Sequence, residues 1–190
     1  MMEIKIRVAE KSDALQLVEI YRPYVEKTAI TFEYEVPSKE EFEERIERVK
    51  ESYPFLVAES EGIILGYAYL GRFRPRKAYD WCAETSIYIK MGEYGKGIGS
   101  LLYQKLEAIA LAQNIVKLYA SISATRKEDR HLSNGSIVFH EVIGYSEIGR
   151  FRDCGYKFET WYDMIWMEKT IREEYQIPGD WLSFHENMLF

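Results

Sequence analysis

Gly95-x-Gly97-x-Gly99 stands between an extended segment, Trp81 to Lys90, and a long helical one that opens near Ile98 and Ser100. Glycines at such a turn allow positive φ and close approach of the backbone. The helix behind it turns its first N–H groups outward and carries about half a positive charge at that end. Together these features form a cradle for a phosphate, although a turn that merely packs tightly has the same glycines. Two nucleotide motifs are excluded. A P-loop needs four residues between its glycines and then Gly-Lys-Ser/Thr, and no such run is present. A dinucleotide fingerprint closes the first strand of a βαβ unit, whereas four extended segments precede this turn. His131, His140 and His185 are dispersed and lack metal-ligand spacing, so no metal site is expected. Cys82 and Cys154 make no disulfide framework and read as small buried residues of a reducing compartment.

The elements that must position this turn follow from periodicity. Glu3 to Val8 alternates as a strand. A helix follows, capped by Ser12 or Asp13, with Leu15, Val18, Ile20 and Tyr21 at near-helical spacing and Pro23 expected to disturb its end. Thr28 to Glu35 reads as a loop or short extended piece. Ser38 with Glu41 forms a capping-box signature for a second helix, which turns Phe42, Ile46 and Val49 inward. Phe55–Glu59 and Ile63–Leu70 flank a tight turn, a hairpin. Val116 to Ser123 is a strand, Thr125 to His131 a charged insertion, and Asn134 to Val142 a short helix. Tyr145–Phe151 and Lys157–Met167 read as a final strand pair turning at Cys154-Gly155, with Trp161 and Asp163 holding the last strand. The order predicts an α/β (α+β) fold with a central mixed sheet.

With 190 residues and 47% apolar content, the chain is long enough to bury a core without staples. Its net charge of −6 argues against a nucleic-acid partner. No apolar run reaches membrane-spanning or signal-peptide length, so a cytoplasmic protein with no membrane partner is expected.

Against this background, Gly97 and Gly99 resemble the Arg/Gln-x-x-Gly-x-Gly/Ala signature of the GNAT superfamily of acetyl-CoA-dependent N-acetyltransferases, with Tyr94 departing at its first position. The resemblance is closer to the phosphinothricin acetyltransferase and L-amino acid N-acyltransferase branch. It is carried by Tyr53-Pro54-Phe55-Leu56-Val57-Ala58-Glu59, Ala78-Tyr79-Asp80-Trp81, Glu84-x-Ser86-Ile87-Tyr88-Ile89, His140-Glu141-x-x-Gly144-Tyr145, Gly155-Tyr156-Lys157 and Trp161-x-Asp163, in the branch's order. It covers about residues 3–170 and implies one acetyltransferase domain over 1–170, with a tail, 171–190, of unassigned role.

The resemblance implies a GNAT fold splayed near its fourth and fifth strands, with helices on both faces and acetyl-CoA as co-substrate in the splay. Glu84 then aligns as general base for the amine, and His140 as the group that protonates or hydrogen-bonds the leaving sulfur. Taken alone, Glu84 could be a salt-bridged strand carboxylate and His140 a satisfied helix histidine. Ile87, Tyr88 and Ile89 run beside the pantetheine. Tyr94, Gly95, Lys96, Gly97, Ile98, Gly99 and Ser100 form the pyrophosphate turn. Asn134 is the implied pantetheine ligand, although it stands one residue late, with Ser133 at the family position. Arg74, its neighbour Arg76, Phe32 and Tyr79 are implied on the acceptor side, where arginine suits a carboxylate or phosphinate. The implied acceptor is a small-molecule amine of amino-acid type, such as phosphinothricin, methionine sulfone or methionine sulfoximine. A homodimer is also implied, with tail aromatics Tyr175, Trp181, Phe184 and Phe190 as candidate cover for its interface. The alternatives are another GNAT acceptor (polyamine, aminoglycoside or protein N-terminus) and a non-catalytic acyl-CoA-binding module.

Overall fold

Apolar periodicity sets the element order: β1 (Lys5–Val8), α1 (Ala14–Lys27), α2 (Lys39–Lys50), β2 (Phe55–Ser60), β3 (Ile63–Arg72), β4 (Cys82–Ile89), α3 (Ile98–Ala112), β5 (Lys117–Ala124), α4 (Gly135–Val142), β6 (Ser146–Lys157) and β7 (Thr160–Thr170). The computed structural model describes residues 3–172 and 179–189. Among these, seven strands form one sheet in the order β1-β2-β3-β4-β5-β7-β6. All neighbours are antiparallel except β4 and β5, which run parallel and pair only over Cys82–Glu84 and Lys117–Tyr119. Beyond that short ladder the two strands part, and the sheet opens into a splay.

Alternation along β4 divides its side chains between two cores. Ala83, Ile87 and Ile89 face α3. Tyr88 faces α1 and α2, together with Tyr67 and Tyr69 of β3, and Glu84 and Ser86 share that face by period. Ser38 caps α2 by accepting from the Glu41 amide at 3.1 Å. Among the described residues, no helix is long and apolar enough to cross a membrane.

Several expectations need correction. α1 runs through Pro23 to Lys27, because Tyr24 and Val25 beyond the proline are buried on its core face. The β6–β7 turn is Phe158-Glu159, both at positive φ (52° and 59°), the conformation a two-residue hairpin turn requires. Cys154 and Gly155 lie inside β6, where pairing is irregular between Phe151 and Gly155. Gly155 is a close-approach glycine: a Cβ there would meet the Phe32 ring at 2.3 Å. Cys154, on the edge strand, is exposed rather than buried, and Cys82 is half-buried. Trp161 is also exposed, so Asp163 alone of that pair is a buried anchor, accepting from Arg150, Arg126 and the Asp153 amide. His131 stacks on Phe158 at 3.9 Å and bonds the Lys27 carbonyl.

The tail residues described pack on their own chain. Trp181 lies against Tyr53, Phe184 is buried, and Gln113 ties Leu182 to Ser52. Tyr175 and Phe190 lie outside the described residues. Gly155→Ala is predicted to lose about 1–3 kcal/mol through overpacking against Phe32. Calorimetry should show the melting temperature falling by about 2–12 °C; an unchanged melting curve would refute the close contact.

Candidate active site

The glycine turn delivers the geometry its sequence promised. Gly95 and Gly97 have φ of 75° and 80°, and Gly97 is the N-cap of α3. With Ser100 exposed in the first helical turn, free N–H groups face solvent at the positive end of the helix. Gly99 serves a different purpose: a Cβ there would meet the Phe139 ring at 3.0 Å, so it lets α4 approach α3. Ile98 is buried in the core. Lys96 pairs with Glu93 at 2.7 Å on the surface.

The splay adjoins this turn. Lys90 donates to Leu65 across the β3–β4 ladder, and by alternation the backbone groups of Thr85, Ile87 and Ile89 then point away from β3, toward the gap. Both groups of Ile89 are engaged by one phenol: the Tyr24 hydroxyl donates to the Ile89 carbonyl and accepts from its amide. Tyr94, at the variant position of the glycine motif, bonds that same hydroxyl at 2.8 Å. Ile87 is therefore the residue whose amide and carbonyl open into the splay. A cavity of about 70 Å³ lies there, lined in part by Thr85, Ile87, Tyr88, Ser121, Ser136 and His140.

His140 is buried, 3% exposed. Its Nδ1 lies 2.7 Å from the Ser136 carbonyl, which can only accept, so the neutral ring carries its proton on Nδ1. Nε2 meets the Tyr103 hydroxyl at 2.7 Å, and that hydroxyl reaches Thr85 Oγ1 at 3.0 Å. Burial pushes the His140 pKa down, against a smaller opposing effect of the Ser136 carbonyl.

Glu84 lies on the other face of β4. Burial pushes its pKa up, and Arg74 pulls against that. The Arg74 guanidinium rests over the Phe73 and Trp166 rings, 4.6 and 5.3 Å from their centroids, and donates to the Phe73 carbonyl. Phe73 stacks on Tyr119, the parallel partner of Glu84, and takes the edge of Tyr79. The structure thus gathers Glu84, Arg74 and Tyr79 on one aromatic platform. Arg76 is exposed on the same loop, where its carbonyl accepts from Tyr79. Phe32 stands apart from this group, with its ring against Gly155. Asn134 spends both ends of its amide on the Thr125 backbone, closing the base of the 125–134 loop. Tyr24, Tyr103 and Thr85 went unnoticed in the sequence because each sits at an apolar-period position and reads as core.

A family model described as an acetyltransferase (GNAT) domain matches residues 6–166. The chain belongs to the GNAT acetyltransferase family. It is 31% identical over 176 residues to phosphinothricin N-acetyltransferase of Streptomyces viridochromogenes, covering 93% of this chain and 90% of the relative. It is 32% identical over 125 residues to the L-methionine sulfoximine/L-methionine sulfone acetyltransferase of Pseudomonas aeruginosa, covering 65% and 69%. A GNAT phosphinothricin acetyltransferase from Sinorhizobium meliloti, solved with acetyl-CoA, superposes with a TM-score of 0.85 at 30% identity, covering 95% of this chain and 96% of that one.

This GNAT enzyme is an N-acetyltransferase, and acetyl-CoA is its co-substrate. Its own residues fit that donor. The left-handed Gly95 and Gly97 and the α3 N-terminus suit a pyrophosphate, and the open Ile87 backbone suits the amide-bearing arm that leads to the thioester. One solution property follows. His140 is predicted to titrate below its ordinary value of about 6.5. A depressed histidine resists protonation in the fold, so its stabilising contribution is complete above the unfolded pKa and declines as pH falls through the folded one. An NMR titration of the ring checks this; a midpoint above 6.5 contradicts it.

Proposed function

We propose that this enzyme acetylates the amino group of a small amino-acid-like acceptor, with Glu84 as general base. The observation that carries the reading is the setting of Glu84. It is a partly desolvated carboxylate with a raised pKa, on the sheet face where β4 parts from β5, and within the electrostatic reach of the Arg74 guanidinium. An α-ammonium must lose its proton before it can attack a thioester, and a carboxylate whose pKa moves toward neutrality is suited to accept it, directly or through water. The Ile87 amide faces the splay, where a donor stabilises negative charge developing on the thioester oxygen. When protonated, His140 donates from Nε2 to the Tyr103 hydroxyl. Tyr103 lines the same cavity, and its hydroxyl, once turned from the Thr85 Oγ1 to which it donates, can pass a proton to the departing sulfur while the ring replaces it. Arg74 presents an exposed guanidinium for the acceptor's carboxylate.

The names of the two curated relatives support this acceptor class. We read the working unit as a cytoplasmic homodimer; the exposed Tyr156 and Trp161, whose rings meet across the β6–β7 hairpin, offer an apolar patch for a second copy.

Glu84→Gln is expected to lower kcat for an amino acid acceptor by roughly 10²- to 10⁴-fold while leaving acetyl-CoA binding intact by calorimetry. Retained kcat removes Glu84 from the base role. Arg74→Gln, by removing the cation that holds the Glu84 pKa down, is expected to move the acidic limb of kcat/KM to higher pH. A limb that stays in place or moves lower contradicts the pairing.

A further inference from the structure

The glycine turn is held to the rest of the fold by very little. Gly92, Gly95 and Gly97 all have positive φ, 87°, 75° and 80°, and a Cβ on any of the three would meet nothing beyond its chain neighbours within 4 Å. These glycines therefore serve conformation and not packing, and the backbone between β4 and α3 is free to sample more than one shape. Lys96 pairs with Glu93, and the Glu93 amide donates to the Lys90 carbonyl, but both bonds stay between the end of β4 and the turn itself. Among the described residues, one side-chain hydrogen bond leaves residues 91–97 for another part of the chain. The Tyr94 hydroxyl meets that of Tyr24 on α1 at 2.8 Å.

The sense of that bond follows from the capacity of a phenol, which has one hydrogen and two lone pairs. The Tyr24 hydrogen goes to the Ile89 carbonyl, which can only accept, and one lone pair takes the Ile89 amide. The other lone pair is all that Tyr94 can meet, so Tyr94 is the donor. Tyr24 is then fully committed and cannot move without breaking three hydrogen bonds at once. Its place is fixed from behind as well. Its ring meets that of Tyr88 edge-on, with centroids 5.1 Å apart, and it is carried on the turn of α1 that continues past Pro23. Tyr24 is buried, whereas Tyr94 is exposed and sits among the glycines. The bond thus anchors the turn to the end of β4 through a side chain that belongs to neither.

We infer that Tyr94 is a positioning residue for the co-substrate: its hydroxyl, acting through Tyr24, orders the glycine turn in advance relative to the β4 edge that opens into the splay. The groups that suit the two ends of acetyl-CoA are joined by glycine-rich backbone. A turn that must be ordered when the ligand arrives lowers affinity by the entropy lost, and a turn ordered beforehand avoids that loss. The gain exists only for a ligand that engages turn and strand together. The residue that departs from the glycine signature at its first position is the one that makes the tie.

The test uses Tyr94→Phe, which removes one hydroxyl from an exposed side chain and leaves Ile89 closed by Tyr24. Two ligands are measured. Acetyl-CoA is titrated by calorimetry. S-acetylpantetheine, which has the arm and the thioester but no pyrophosphate, is measured by competition against it. Acetyl-CoA should bind about 3- to 10-fold more weakly to the variant, the range of one neutral hydrogen bond, and the S-acetylpantetheine constant should stay at its wild-type value. Hydrogen exchange of the ligand-free enzyme gives a second readout. Amides of residues 91–97 should exchange faster in the variant, those in the middle of α3 should not change, and saturating acetyl-CoA should bring the two enzymes together. An unchanged acetyl-CoA constant would overturn the inference. Equal weakening of both ligands would overturn it too, since the phenol would then only support the strand. Unchanged exchange over 91–97 would show a turn that is ordered without the tie, and would overturn it as well.

Discussion

The parting of β4 from β5 is the constraint on which the rest of the site depends. A sheet that stops pairing in its interior leaves backbone amides and carbonyls with no ladder partner, and such groups cost free energy unless something engages them. This enzyme resolves the problem differently at successive residues. Thr85 sends its hydroxyl to the Tyr119 carbonyl at the last paired rung. Ile89 is closed by the Tyr24 phenol, which acts as a surrogate strand at the far end of the gap. Between them Ile87 stays open. The fold has thus left one residue's worth of sheet unfinished, a place that suits the amide-bearing arm of the co-substrate. The departure at Tyr94 takes on meaning in this setting: its hydroxyl braces Tyr24, so the glycine turn and the end of β4 are tied through two phenols.

The loop between α1 and α2 must then be held over the splay, and a buried ammonium does this. Lys157 is 3% exposed and donates to the Thr28 and Thr31 carbonyls at 2.8 Å each. Burial pushes its pKa down, with Glu33 opposing. A desolvated charge is tolerated only where its hydrogen bonds are made, so the loop's carbonyls and the β6–β7 hairpin specify one another. The Ser123 hydroxyl and the His131 carbonyl add further ties, to the Ile30 carbonyl and the Ala29 amide. Thr31, Phe32 and Glu33 are carried on this strapped segment, which puts Thr31 and Glu33 at the cavity between α2 and the sheet and Phe32 against Gly155.

Much of this fold was legible because it rests on local period. The hairpin of β2 and β3, the helix behind the glycines and the Ser38 cap each follow from residues within one turn or one alternation. The errors share one cause, a tertiary partner that overrode a local signal. Pro23 did not end α1 because buried Tyr24 and Val25 hold the next turn in place. Gly155 did not make a turn because its missing side chain makes room for Phe32, more than a hundred residues earlier in the chain. The site divides the same way. Glu84 and the glycines are recognisable from spacing and resemblance. Tyr24 and Tyr103 are not, since a tyrosine at an apolar position looks like core until the strands around it are seen to part.

Desolvation acts on Glu84 and His140 in the same sense, and this shapes the chemistry. It favours the neutral form of each, raising the carboxylate and lowering the imidazole, so the two pKa values converge from opposite sides. In the proposed mechanism the base, Glu84, must be ionised and the acid, His140, protonated. Each requirement therefore favours the form that burial disfavours, and Arg74 and the Ser136 carbonyl are the groups that offset this, one for each residue. An acceptor carboxylate seated on Arg74 would draw part of that guanidinium's field away from Glu84. The base would then become stronger as the substrate arrives. On the proposed roles, binding of the acid group and activation of the amine would be coupled through one arginine, a physical reason for a GNAT site to favour amines that also carry a carboxylate over amines that do not.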